Sequence, residues 1–133
     1  MTRLKALLKA LSVAALASQT GTSAYVRGGL NRWPAVHRSD AAQLFRLALE
    51  KGTSGSRYHA IAEDGIALRE IAEAIGRLVS VAAVSKTAEE AASHFGFLAY
   101  FVSADFQASS TKTKQALGWN PTGPGLIADL QKS

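Results

Sequence analysis

Arg32 and His37 bracket the apolar run Trp33-Pro34-Ala35-Val36 and give this part of the chain its chemical interest. A guanidinium can grip a phosphate or carboxylate through two parallel charge-assisted hydrogen bonds, a fork that lysine does not reproduce. Arg32 is therefore a candidate anchor for an anionic group on a small molecule, with a surface ion pair as the alternative. His37 can hydrogen-bond a substrate or fix the turn that follows it. Asn31 either faces a ligand or holds the turn formed by Arg27-Gly28-Gly29. His59 and His94 show no metal-ligand spacing to each other, and with no cysteine a Cys-ligated site is excluded, so no metal is expected.

The elements that must position these groups follow from periodicity. Ser23 to Val26 is a short strand, and Trp33 to His37 is a second one after the Gly28-Gly29 turn. Ser39 or Asp40 caps a helix over Ser39–Lys51, with Ala41, Leu44, Phe45, Ala48 and Leu49 at the spacing of one apolar face and Gly52 as its stop. Arg57 to Ala62 alternates like a strand, and Glu63-Asp64-Gly65 turns it into a helix from Ala67 to Leu78. Val79 to Val84 is a strand. Thr87 and Glu90 form a capping box for a helix running through Phe95 towards Tyr100. Ser109 or Ser110 starts a helix ended by Gly118, Pro121 follows, and a last short helix spans Gly125 to Gln131. Trp33 and Trp119 are expected to pack in the core.

Composition bounds the partners. A chain of 133 residues, 47% hydrophobic, with no repeat and no long linker, is a single α/β domain over 1–133 that buries about two-thirds of its unfolded surface. The net charge is +5, yet six basic residues and no acidic one fall in residues 1–39, and the remainder is close to neutral. That distribution argues against a nucleic-acid partner. The absence of cysteine is compatible with a reducing, cytoplasmic setting. Residues 1–20 fit an amphipathic helix with Leu4, Leu7, Leu8 and Leu11 on one face, or a targeting segment with Lys9 interrupting its apolar run. No run approaches the roughly 18–20 apolar residues of a membrane span.

The run from Asn31 to Ala42, an arginine leading into Val36-His37-Arg38-Ser39-Asp40-Ala41-Ala42, resembles the substrate-domain segment of the extended short-chain dehydrogenase/reductases. That group includes nucleotide-sugar epimerases and atypical NAD-dependent epimerase/dehydratase-like relatives. The run Ser110-Thr111-Lys112 through Leu117-Gly118-Trp119-Asn120-Pro121 is similar to the ending of the same family. The resemblance covers nearly all of the chain from Ser23, but only the C-terminal part of the family fold. It implies a Rossmann-type α/β protein working with NAD or NADP on a small, anionic substrate, with Arg32, Asn31, His37 and Tyr25 at the substrate pocket. Two family features are missing: no Gly-rich dinucleotide loop occurs, and no Tyr-x-x-x-Lys pair, since Gly29, Ala62 and Ala104 stand four residues after the three tyrosines. No catalytic or cofactor-binding residue is therefore assigned to this chain, which is expected to bind neither nucleotide alone. Whether it is an enzyme stays open, with a non-enzymatic remnant, a small interaction domain or a small exported basic protein as alternatives. Family members also place an acidic residue in the Gly-rich turn, where this chain has Arg27-Gly28-Gly29.

Overall fold

The computed structural model describes residues 13–132. The Leu4, Leu7, Leu8 and Leu11 face expected for the N-terminal segment lies outside the described residues. Within them, residues 13–20 form helix α1. The chain then runs β1 (Thr22–Val26), β2 (Arg32–Ala35), α2 (Arg38–Lys51), β3 (Glu63–Ala67), α3 (Leu68–Val79), β4 (Ala82–Lys86) and α4 (Ala88–Phe95). A 3-10 turn (Gly96–Leu98), α5 (Ala99–Ser103), α6 (Thr111–Leu117) and α7 (Leu126–Gln131) complete it. The architecture is α/β.

Two small sheets organise these elements. β1 and β4 pair in parallel, Thr22 opposite Ala82 and Val26 opposite Lys86. A parallel pair needs a long crossover, and α3 lies against both strands. Its Leu68, Ile71, Ala72 and Ile75 recur at helical spacing and are all buried. Gly76 lets it approach closely: a Cβ there would stand 2.7 Å from the Val81 carbonyl oxygen. β2 and β3 pair antiparallel, with the register broken between Trp33 and Ala35. Pro34 sits in that break because proline offers no N–H to a ladder.

Several local expectations need correction. The strand expected over Arg57–Ala62 does not form, and β3 begins at Glu63, where a turn was expected. The Arg57–Ala62 alternation is nevertheless used. Tyr58 and Ala60 pack on a second core cluster of Leu44, Leu117 and Trp119. The backbone there is held by helix α6 side chains, Thr113 Oγ1 accepting from the His59 N–H at 2.8 Å and the Ser110 hydroxyl donating to the Ile61 carbonyl. With those hydroxyls as partners the segment needs no neighbouring strand. On α2, Leu44 is buried, but Phe45 is 59% and Leu49 89% exposed, so the apolar face is narrower than its spacing suggests. Gly52 ends α2 with extended backbone and not the left-handed conformation, whereas Gly118 closes α6 at φ 66°. β4 starts three residues later than expected, after Ser80 in the left-handed region, and α4 stops at Phe95 before Gly96 turns the chain at φ 58°. The Thr87–Glu90 capping box forms in both directions.

Candidate functional site

Of the four expected site residues, Asn31 lies in the segment joining β1 to β2, Tyr25 and Arg32 flank that segment on β1 and β2, and the segment is tied to the start of α3. No side chain caps α3. Its first amides instead donate to the turn: Leu68 N–H to the Asn31 carbonyl at 2.8 Å, and Arg69 N–H to the Gly29 carbonyl at 3.0 Å. Gly29 has φ 66°, and a Cβ on it would meet Arg69 Cβ at 2.6 Å and Tyr25 Cδ2 at 2.7 Å. Glycine is therefore required there by close internal packing. Arg27 also has positive φ, 55°, and is fixed by its N–H to the Lys86 carbonyl and by the Ser85 hydroxyl donating to its own carbonyl at 2.6 Å. A cleft of about 360 Å³ opens beside this turn, lined by Val26 to Asn31 together with Ala88 and Ser103.

Tyr25 is half-buried on β1, with the Arg69 guanidinium 5.7 Å from its ring centre. Asn31 donates through Nδ2 to the Val102 carbonyl at 2.8 Å and the Ala104 carbonyl at 3.0 Å. Its amide hydrogens thus bind the turn to the end of α5 and the residue that follows it. Arg32 is exposed. Its Nε stands 3.7 Å from Asp105 Oδ1, while its backbone N–H donates to the same carboxylate oxygen at 2.8 Å. Trp33, only partly buried, donates its indole N–H to the Phe101 carbonyl at 2.9 Å.

His37 sits apart from that cleft. It is the N-cap of α2, where Ser39 or Asp40 was expected, its Nδ1 accepting from the Ser39 N–H at 3.2 Å and lying 2.7 Å from Ser39 Oγ. Its Nε2 is 3.8 Å from Asp129 Oδ1. The imidazole thus fixes the turn after β2. Asp40 has a larger role than a cap. Buried in the first turn of α2, its carboxylate accepts from the Thr122 N–H at 3.0 Å and the Gly123 N–H at 2.9 Å. Its carbonyl accepts the Trp119 indole N–H at 2.9 Å. A Cβ on Gly123 would press on both Asp40 and His37. The two segments that carry the family resemblance therefore form one buried unit. Asp105 was missed in the sequence, while Glu63 was read only as part of a turn and Ser110 only as a candidate helix start. Glu63 Oε2 accepts the first amide of α7, Leu126 N–H, at 3.0 Å. Only the Ser110 position, next to a helix start, carried a signal.

Among the described residues, no group of His, Asp or Glu side chains could hold a metal ion. Nor is any helix long and apolar enough to cross a membrane.

No family model matches the chain. It is 54% identical over 115 residues to the uncharacterized protein C2A9.02 of Schizosaccharomyces pombe, covering 86% of this chain and 39% of that protein. It is 47% identical over 116 residues to the uncharacterized protein YLL056C of Saccharomyces cerevisiae, with 87% and 39% covered. Among solved structures it is similar to that of gox2253, with a TM-score of 0.61 and 25% identity over 92% of this chain and 41% of that one. The chain thus spans about two-fifths of the length of each relative.

Proposed function

We propose that this chain is the substrate-binding part of an NAD(P)-dependent oxidoreductase or epimerase-like protein of the extended short-chain dehydrogenase/reductase kind, with the fold of that family's C-terminal portion, and inactive by itself. The observation that carries the proposal is the joining of the two resembling segments through Asp40, whose carbonyl and carboxylate together take the Trp119, Thr122 and Gly123 N–H groups. That contact supports reading the two motifs together, as parts of one folded unit. The match to two-fifths of longer relatives fits a part rather than a whole.

The described residues do not fit a dinucleotide. The Gly28-Gly29 turn leads into β2 instead of a helix, so no ring of helix N-terminal amides follows it. A Cβ on Gly29 would meet Arg69 and Tyr25, so this glycine serves internal packing. Hydride transfer is accordingly assigned to no residue here. What this chain contributes is binding and orientation of a small anionic molecule in a cytoplasmic setting. Arg32 offers the bidentate grip, and Arg27, which lines the cleft, adds a second positive charge.

The test uses a chimaera in which this chain replaces the matched stretch of the Schizosaccharomyces relative, screened for oxidoreductase activity on nucleotide sugars and small carboxylates. Arg32→Lys in that chimaera is expected to weaken substrate binding by about 1.5–3 kcal/mol, the scale of a hydrogen bond to a charged group. Melting should hardly change, because the exposed pair with Asp105 is worth about 1 kcal/mol at most and the backbone bond to Asp105 survives. Unchanged affinity with a clearly lower melting temperature would make Arg32 structural. Titration of this chain alone with NAD and NADP should show no binding; micromolar affinity for either would overturn the division of labour.

A further inference from the structure

We infer that the cleft beside the Arg27–Asn31 turn is an anion subsite built on Arg27, which takes a phosphate or carboxylate group while Asn31 and Ser103 meet hydroxyls of the same molecule. The inference deepens the reading of the chain as a substrate-binding part, and rests on it for calling that molecule a substrate. Arg27 is the one ionisable residue among those lining the cleft, so no carboxylate there competes for it. Its side chain is exposed, with no hydrogen bond or ion pair among the described residues. The sign is this chain's own, since the family it resembles has an acidic residue in the turn.

The backbone shows that the fold does not call for an arginine. The Gly29 N–H donates to the Val26 carbonyl at 3.0 Å and closes a four-residue turn, with Arg27 as its first central residue at φ 55°. Positive φ at that place suits glycine, and any larger residue bears strain in it. The other non-glycine residue with positive φ among the described residues, Ser80, ends α3 and donates its N–H to the Gly76 carbonyl. Arg27 ends no helix, and its bonds to Lys86 and Ser85 use only backbone atoms that glycine would keep. Strain held without a packing reason points to a use for the side chain. Gly28 is the converse case. It lacks positive φ, and a Cβ on it would meet only Leu30 Cγ at 3.9 Å, so neither conformation nor packing demands glycine. Its bareness lets a ligand approach the backbone, and its N–H has no acceptor among the described residues. Asn31 spends its amide hydrogens on two carbonyls, which leaves Oδ1. No buried side-chain N or O atom among the described residues lacks a partner, so that oxygen reaches solvent. Ser103 is exposed, and its hydroxyl bonds nothing in the fold. A cation, an acceptor and a hydroxyl around about 360 Å³ suit a small hydroxylated molecule with an anionic end.

The full chain, labelled with ¹⁵N, is titrated at low ionic strength with inorganic phosphate, glucose 6-phosphate, acetate and gluconate. Saturable shifts of the Gly28 amide and Arg27 Nε signals are expected, with a dissociation constant on the order of millimolar. Saturation by the phosphate pair alone assigns a phosphate group, by the carboxylate pair alone a carboxylate, and by both an anionic end of either kind. The hydroxylated member of a pair should bind more tightly than the bare ion; equal affinity would overturn the part given to Asn31 and Ser103. Arg27→Gly should weaken binding about tenfold or more, the loss of a charged hydrogen-bond donor, and melt at or above the parent's temperature because the strain is relieved. Arg57→Gln, which removes an exposed arginine outside the cleft lining, should leave affinity unchanged. No saturation by any probe, saturation that survives Arg27→Gly, or a clearly lower melting temperature in that variant would each overturn the inference. The chimaera separates the two claims. Arg27-dependent binding with an inactive chimaera keeps the subsite and removes the enzymatic reading, while an active chimaera whose KM ignores Arg27→Gly does the reverse.

Discussion

The unit around Asp40 and the aromatic stretch after α4 treat their polar and apolar groups in opposite ways. Around Asp40 the polar groups are paired and the large rings are buried. Trp119 is 2% exposed with its indole N–H bonded, and Leu44 and Leu117 fill the space beside it. Along residues 96–106 the backbone is just as firmly bonded, yet the rings face outwards. Burial of apolar area is the main favourable term in folding, and the first region collects that term within the chain. The second collects it only in part: Val102 is buried and Leu98 and Ala99 pack on the main core, while Phe97 and Tyr100 stay exposed.

Substitutions can break this contrast, and the largest effect belongs to the closed region. Trp119→Ala should cost about 3–5 kcal/mol, combining lost transfer energy with a cavity that α2 and α6 cannot fill. Urea unfolding measures it; a loss below about 1 kcal/mol would mean the unit is not the tight element described here. Asp40→Asn comes next. The amide keeps the volume but has one acceptor oxygen for two N–H groups and turns its own N–H₂ towards the other, so about 2 kcal/mol is expected from the charged hydrogen bonds lost. The same unfolding midpoint should move, with an unchanged denaturant slope.

The smallest effect sharpens the contrast from the other side. His94 lies at the end of α4, edge-on to Phe95 with ring centres 4.7 Å apart. Burial, and secondarily the Lys86 ammonium, holds its pKa below the ordinary 6.5. The folded state then binds this proton less readily than the unfolded one. Its contribution is intact above 6.5 and is lost as pH falls below that value towards the lowered one. His94→Gln should flatten the melting temperature against pH in that window, and an equally steep profile in the variant would assign the slope to other groups.

Much of this was legible in the sequence because local chemistry decided it. Gly118 followed by Trp119 and Pro121 specifies a helix stop with a ring folding back, and Thr87 with Glu90 specifies a capping box. Alternation across Arg57–Ala62 identified a half-buried strip but not the partners of its backbone, which are the hydroxyls of Ser110 and Thr113 some fifty residues away. Periodicity on α2 likewise counted Phe45 and Leu49 as inward, since spacing gives the width of an apolar stripe and not how much of it meets a neighbour. At the site, residue types nominated Arg32, Asn31, His37 and Tyr25 together. The fold places Tyr25 and Asn31 beside one turn with Arg32 next to it, and His37 past the other end of β2, a separation the bracketing of the Trp33–Val36 run already implied.

The bonds from Asp40 reach forward 79, 82 and 83 positions along the chain. During synthesis, α2 therefore leaves the ribosome long before the groups that neutralise its first turn exist. Until Gly123 is out, a nascent chain carries a carboxylate with no amides to meet and a pocket with no indole in it. Contacts of such long reach slow folding and prolong exposure of sticky intermediates. A transcript ending anywhere between codons 51 and 119, or a protease cut in the 104–110 connection followed by loss of the tail, leaves this vacancy permanently open. Completion of the fold at α2 therefore waits on the last residues before α7.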